Sequence, residues 1–175
     1  MKSKTIITIL CLAIFLLLLL SVRIYDKGYS EGYESAAKLD LPENGEILFH
    51  GSHYRTKCLL TVVADKDKNC YVRLESQKTG LAALTFFVRA GMAADVEVPD
   101  GEYVLSYACG DTWLGTDHLI GELPQLFGKD TVCAIANDPL VFNSDDKSST
   151  HLTAILYEEP HGNLQTTKIE IDEFW

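Results

Sequence analysis

Hydrophobic and polar positions change rhythm twice along the chain. Thr5 to Val22 (TIITILCLAIFLLLLLSV) is a run of 18 residues without charge, Pro or Gly. A helix of that length extends ~27 Å at ~1.5 Å per residue, close to the ~30 Å hydrocarbon core of a bilayer. In lipid every backbone amide must be satisfied within the segment, so the run predicts one membrane-spanning helix, residues 5–24, rather than a soluble core helix. The next residues, RIYDKGYSEGYESAAKL, set Tyr25, Tyr29 and Tyr33 four apart on one helical face. That spacing predicts a helical juxtamembrane stalk over 25–41, with Gly28 and Gly32 as a secondary helix-pairing face. Residues 42–57 (PENGEILFHGSHYRTK) are rich in turn formers and read as a linker.

From Cys58 onward the period becomes two. CLLTVVA and CYVRLES, separated by DKDKN, read as a hairpin. Leu84, Phe86 and Val88 point one way, and Thr85, Phe87 and Arg89 the other. Val96 and Val98 alternate with Asp95 and Glu97, Pro99-Asp100-Gly101 turns the chain as a second hairpin, and Tyr103, Leu105, Tyr107 and Cys109 follow on one face. TVCAIA, PLVFNS, HLTAILYEE and TTKIEIDEF continue the pattern, giving about eight short strands and no ten-residue helical period after Leu41. Without helical crossovers the pairing should be mostly antiparallel. The expectation for 58–175 is a single antiparallel β-sandwich, immunoglobulin- or transthyretin-like, with an open barrel as the alternative.

The stretch FFVRAG…VEVPDGEYVLSYACGDTWLG…HLIG…LTAILYEEPHGNLQTTKIEIDEF resembles an uncharacterised family of bacterial β-sandwich domains, commonly tethered behind a transmembrane helix or a small N-terminal module. The resemblance spans about Cys58 to Phe174 and rests on V-P-D-G-E-Y, on G-D-T-W before Gly115, and on G-N-L-Q-T. Leu114 stands where such domains often carry an aromatic residue, and Cys109 where they carry a small one. The resemblance implies a sandwich fold and a bacterial origin, and no activity. The V-P-D-G-E-Y segment alone is also similar to transthyretin-like modules of bacterial surface proteins.

Charge narrows the partners. The chain carries a formal net charge of −10, and residues 40–175 hold ten Lys and Arg against twenty-two Asp and Glu, a net −12. Such a domain repels phosphates, so nucleic acid is excluded as a partner. Lys2 and Lys4 precede the apolar run, while Arg23 and Lys27 follow it. Counted as cations they favour residues 1–4 in the cytoplasm and the domain outside, at the cell membrane. Leu20 to Ile24 (LSVRI) offers no small-x-small site, so an uncleaved anchor is expected, with lipid as the partner of residues 5–24.

Candidate chemistry is sparse. Cys58, Cys70, Cys109 and Cys133 allow two disulfides in three connectivities, or four buried thiols, and lack the C-x-x-C spacing of zinc sites. If one bridge forms, the expectation is Cys109 with Cys133, both near strand ends. His50-Gly-Ser-His53 has H-x-x-H spacing without further ligands at a telling distance, and reads as surface histidines. Cys109-Gly-Asp-Thr-Trp113 loosely matches a thiol-protease segment, with Thr where that pattern needs Cys; His118, His151 and His161 are the available bases. Asp111, Asp117 and His118 share one loop and Asp145-Asp146 another, where acidic residues usually cap their own turns rather than bind calcium. Trp113 follows Gly-Asp in a loop and heads an aromatic set with Tyr54, Tyr157 and Trp175, whereas Tyr103 and Tyr107 belong to the core. The expected recognition residues are therefore Trp113, Asp111, Asp117 and His118, with no catalytic residue, metal or cofactor. The resulting expectation is a membrane-anchored extracytoplasmic binding module for a protein or cell-envelope partner. A thiol or hydrolase-like enzyme using Cys109 with a histidine is one alternative, and a structural component of a membrane assembly another.

Overall fold

The computed structural model describes residues 12–24, 27, 38–51, 57–120, 123–157 and 164–175. Helix α1 covers 12–24, and its side chains are exposed throughout. Among the described residues no helix is long and apolar enough to cross a membrane; residues 5–11 of the apolar run lie outside that set, as does most of the expected stalk.

The remainder is mainly β. Its strands are β1 (Ile47–His50), β2 (Cys58–Val63), β3 (Asn69–Ser76), β4 (Leu81–Val88), β5 (Ala93–Val98) and β6 (Gly101–Gly110). They are followed by β7 (Leu119–Ile120), β8 (Leu123–Pro124), β9 (Val132–Ala136), β10 (Leu140–Phe142), β11 (His151–Ile155) and β12 (Thr166–Ile169), and a single helical turn, α2 (Ile171–Phe174), closes the chain. Seven strands form one sheet in the order β1-β4-β3-β6-β9-β12, with β10 also on β6; β11-β2-β5 form a second sheet, and β7-β8 a two-stranded ribbon. Pairing is antiparallel except between β2 and β11, which run parallel from Leu59↔His151 to Val63↔Ile155. That parallel pair needs no helical crossover, because the chain traverses the large sheet between the two strands.

Both expected hairpins are instead arches between sheets. β2 and β3 flank the DKDKN turn, yet β2 pairs with β5 and β11 while β3 pairs with β4 and β6. Likewise Pro99-Asp100 carries the chain from β5 in the small sheet to β6 in the large one. Alternation is the same in either arrangement, so the faces were placed correctly and the partners were not.

One core lies between the two sheets. Leu60 and Val62 of β2 and Val96 and Val98 of β5 meet Val72 and Leu74 of β3, Phe86 of β4 and Leu105 of β6. The small sheet shows the buried-exposed alternation of a layer with one wet face, BiBiBi in β2 and eBeBeB in β5. β6 is buried over its last six residues, because the large sheet is covered on both faces. Its outer face carries Tyr71, Phe87, Ala108 and Cys133 beneath a second cluster built from Trp113, Leu126, Phe127 and Phe174.

The segment expected as a linker joins this outer layer. β1 pairs with β4, Leu41 and Leu48 pack on the second cluster, and the Leu39 amide donates to the Trp113 carbonyl at 3.1 Å. The Arg89 guanidinium donates to the Pro42 and Leu41 carbonyls at 2.8 and 3.2 Å. The folded unit therefore takes in residues 39–51, ahead of the Cys58 boundary; residues 52–56 lie outside the described set.

Two aspartates hold the loops at one end. Asp100 accepts the Ser144 hydroxyl at 3.0 Å and the Cys58 thiol at 3.3 Å. Asp145 accepts the amides of Lys147 and Ser148, each at 2.7 Å, and the Ser148 hydroxyl at 3.1 Å. Donation by Ser144 lowers the Asp100 pKa, and the Lys147 and Ser148 amides lower that of Asp145, both from an ordinary 3.8. A lowered folded-state pKa stabilises above the unfolded value and is lost as pH falls through it and below. Stability is accordingly expected to decline from about pH 4 downward. The D100N/D145N variant should show a shallower acid limb in thermal melts; an unchanged limb would remove both carboxylates from the account.

Candidate functional site

Of the expected recognition residues in the loop from Asp111 to His118, the structure buries Trp113. Trp113 is 4% exposed and sits in the second cluster, with ring centroids 5.1 Å from Phe87 and Phe127 and 6.2 Å from Tyr71. The bridge Trp113↔Phe127 pins its backbone, turning the indole onto the outer face of the large sheet. A Gly-Asp sequence preceding Trp reads as a loop, and it is one, but a loop laid across a hydrophobic sheet face. Asp111 and Asp117 are exposed and His118 is half-buried. Asp117 accepts the Thr116 hydroxyl at 3.3 Å, and the buried Nε2 of His118 has no hydrogen-bond partner among the described residues. No hydrogen bond or ion pair within the described residues joins Asp111, Asp117 and His118, and no group of three or more His, Cys, Asp or Glu there is placed to hold a metal ion. Trp175 and Tyr157 are partly exposed, at 43% and 37%; Tyr54, His53 and His161 lie outside the described residues.

The expected Cys109–Cys133 bridge is replaced by Cys70–Cys109. Cys70 and Cys109 stand opposite each other in the β3–β6 pairing, with Cα atoms 4.1 Å apart. Cys133 is opposite Ala108, one residue out of step, so its side chain lies on the other face of the sheet from Cys109. Sequence proximity to strand ends carries no information about that parity. Cys58 and Cys133 are free and buried. Burial, with a smaller contribution from the Glu170 charge, pushes Cys133 up to about 12, and burial also raises Cys58. Cys109, the thiol of the enzyme alternative, is engaged in the Cys70–Cys109 disulfide.

The arrangement that most resembles a site is a cleft that the sequence pattern does not show. The large sheet is wider than the small one and continues past β11 through β9 and β12. On its inner face Tyr107, Ala134 and Lys168 form one cross-strand row, with Ala134 opposite both of the others. Alanine at this inward position leaves depth where a larger side chain would fill the space. The result is a cleft of about 400 Å³ floored by Val132, Ala134, Ile155, Leu156 and Leu164. Polar groups stand around the apolar floor: Tyr107, Tyr157, Gln165, Thr166, Asp65, Lys68 and Lys168. A second hollow of about 420 Å³, lined by residues 63–66, Gly91 and Tyr157, shares Asp65 and Tyr157 with it.

Local structure positions the cations. Lys68 ends the arch between β2 and β3, and its ammonium donates to the Asp130 carbonyl at 3.3 Å. Lys168 is exposed on edge strand β12 and has no ion-pair partner among the described residues. Asp65, the only carboxylate among the lining residues, accepts the Asp67 amide at 3.1 Å. An apolar floor with convergent polar groups at its rim is the make-up of a small-molecule site. Compared with protein-family models, with curated proteins and with solved structures, the chain matches none.

Proposed function

We propose that this protein is a membrane-tethered, extracytoplasmic binding module whose ligand surface is the cleft between β11 and β12. One observation carries the tether. Along α1, Leu12, Phe15, Leu17, Val22 and Ile24 are 50–71% exposed, together with the leucines between them. An apolar surface of that length, broken only by Ser21 and Arg23 toward its end, is unstable in water, and lipid around residues 5–24 would cover it. The domain meanwhile completes its own two cores. The Cys70–Cys109 disulfide supports placement outside the cytoplasm, since such bonds persist in oxidising compartments. The two facing sheets support a β-sandwich of immunoglobulin- or transthyretin-like kind, with an added layer on the outer face of the larger sheet. Membership of the bacterial tethered-sandwich family is part of the same reading.

Alkaline carbonate extraction tests the tether. The full-length chain should stay with the membrane pellet, and a chain starting at Lys38 should be released. In intact cells or spheroplasts, added protease should reach the domain and leave cytoplasmic markers whole. Release of the full-length chain by carbonate, or a mature N-terminus beyond Val22, would refute the anchored reading.

A further inference from the structure

The chemistry of the cleft selects among ligands. We infer that it binds a small amphipathic organic anion, an apolar body bearing one carboxylate, with the body on the Ala134 floor and the carboxylate between Lys68 and Lys168. This inference rests on the cleft being the site used, as proposed above, and adds the ligand class.

Size is the first constraint. At the ~30 Å³ that a water molecule occupies in the liquid, a cleft of about 400 Å³ holds roughly a dozen non-hydrogen atoms. Polarity is the second. The floor is aliphatic and offers an apolar body a surface on which to displace water, while Tyr107 and Tyr157 provide aromatic walls. Charge is the third, and it decides the class. Residues 40–175 carry a net −12, yet two of their ten cations converge on this cleft, and among the described residues one carboxylate, Asp65, lines it. At physiological ionic strength the repulsion from the rest of the domain is screened beyond ~8 Å, so among the described residues the charges that a bound ligand meets are those of the lining, Lys68 and Lys168 against Asp65. A cationic ligand would find two like charges at the rim, and a neutral one would leave them without a counterion. A carboxylate accepts from both lysines, in the short, charge-assisted geometry that such pairs adopt.

The test uses the full chain in zwitterionic nanodiscs, labelled with ¹³C at alanine methyls, with empty nanodiscs as the partition control. Three probes of one shape are titrated: 3-phenylpropanoate, 3-phenylpropylammonium and 3-phenylpropanol. The expected result is a saturable shift of the Ala134 methyl with the carboxylate, absent with the ammonium and weak with the alcohol. In K68Q/K168Q the carboxylate should bind about tenfold more weakly, the order expected for lost charge-assisted hydrogen bonds, with the Ala94 and Ala154 methyls of the core unmoved. Equal binding of the alcohol or the ammonium, or unchanged affinity in the double variant, overturns the anion assignment and leaves the cleft as a binding site. No saturable shift with any of the three overturns the cleft reading itself. The wild-type comparison decides the ligand class even if the double variant misfolds.

Discussion

Trp113→Ala is expected to destabilise the domain by about 3–5 kcal/mol, the usual range for removing a fully packed indole. The side chain is 4% exposed and touches Phe87, Phe127 and Tyr71, residues that join the outer layer to the large sheet. Its removal opens a void that neighbouring strands cannot close without shifting the sheet. Typical domains are stable by about 5–15 kcal/mol, so a change of this size should lower the urea midpoint severely or leave the variant poorly folded. Trp113→Phe keeps an aromatic ring against Phe127 and should recover much of the loss. Circular dichroism across a urea titration of full-length protein in micelles reads both variants. If Trp113→Ala unfolds at the wild-type midpoint, the indole is not a core residue and the recognition role originally expected of it returns.

The second large effect belongs to the disulfide. Cys70 and Cys109 are separated by 39 residues, and closing a loop of that length in the unfolded chain is worth about 4 kcal/mol in the loop-closure account. C70A/C109A should unfold at a correspondingly lower urea concentration, and so should wild type after reduction. Cys58 and Cys133 are free, so C58A/C133A should keep the wild-type difference in mobility between reducing and non-reducing gels, and C70A/C109A should lose it. Wild type and C70A/C109A having the same midpoint under oxidising conditions would mean that the bridge does not form.

Much of the strand content was legible because alternation is local. Leu84, Phe86 and Val88 do face the inner core, and Phe87 does face the other way. Tyr103 and Tyr107 are buried as expected, at 5% and 9%. Pairing was less legible, because the turn chemistry of DKDKN and of Pro-Asp-Gly fits an arch as well as a hairpin. β1 lies among turn formers and is held by its pairing with Phe86, Thr85 and Leu84 of β4, partners remote in sequence. The disulfide depended on which residue stands opposite Cys109, a property of register rather than of spacing. The cleft depended on something more global still, the unequal widths of two sheets. Lys168 carries a faint local signal: it shares the inward face of its strand with Thr166, while Ile169 faces the outer layer. Only the register with Ala134 converts that into a position beside Tyr107.

The parallel pairing of β2 with β11 also dictates an order of assembly. Cys70 and Cys109 leave the ribosome well before His151, so their loop can close while the partner of Leu59 is still unmade. A chain ending before His151 leaves β2 with β5 as its sole neighbour and an unpaired edge toward solvent. Contacts this remote in sequence fold slowly, because loop closure precedes any gain from them. The smaller sheet is thus completed only after most of the polypeptide has been made.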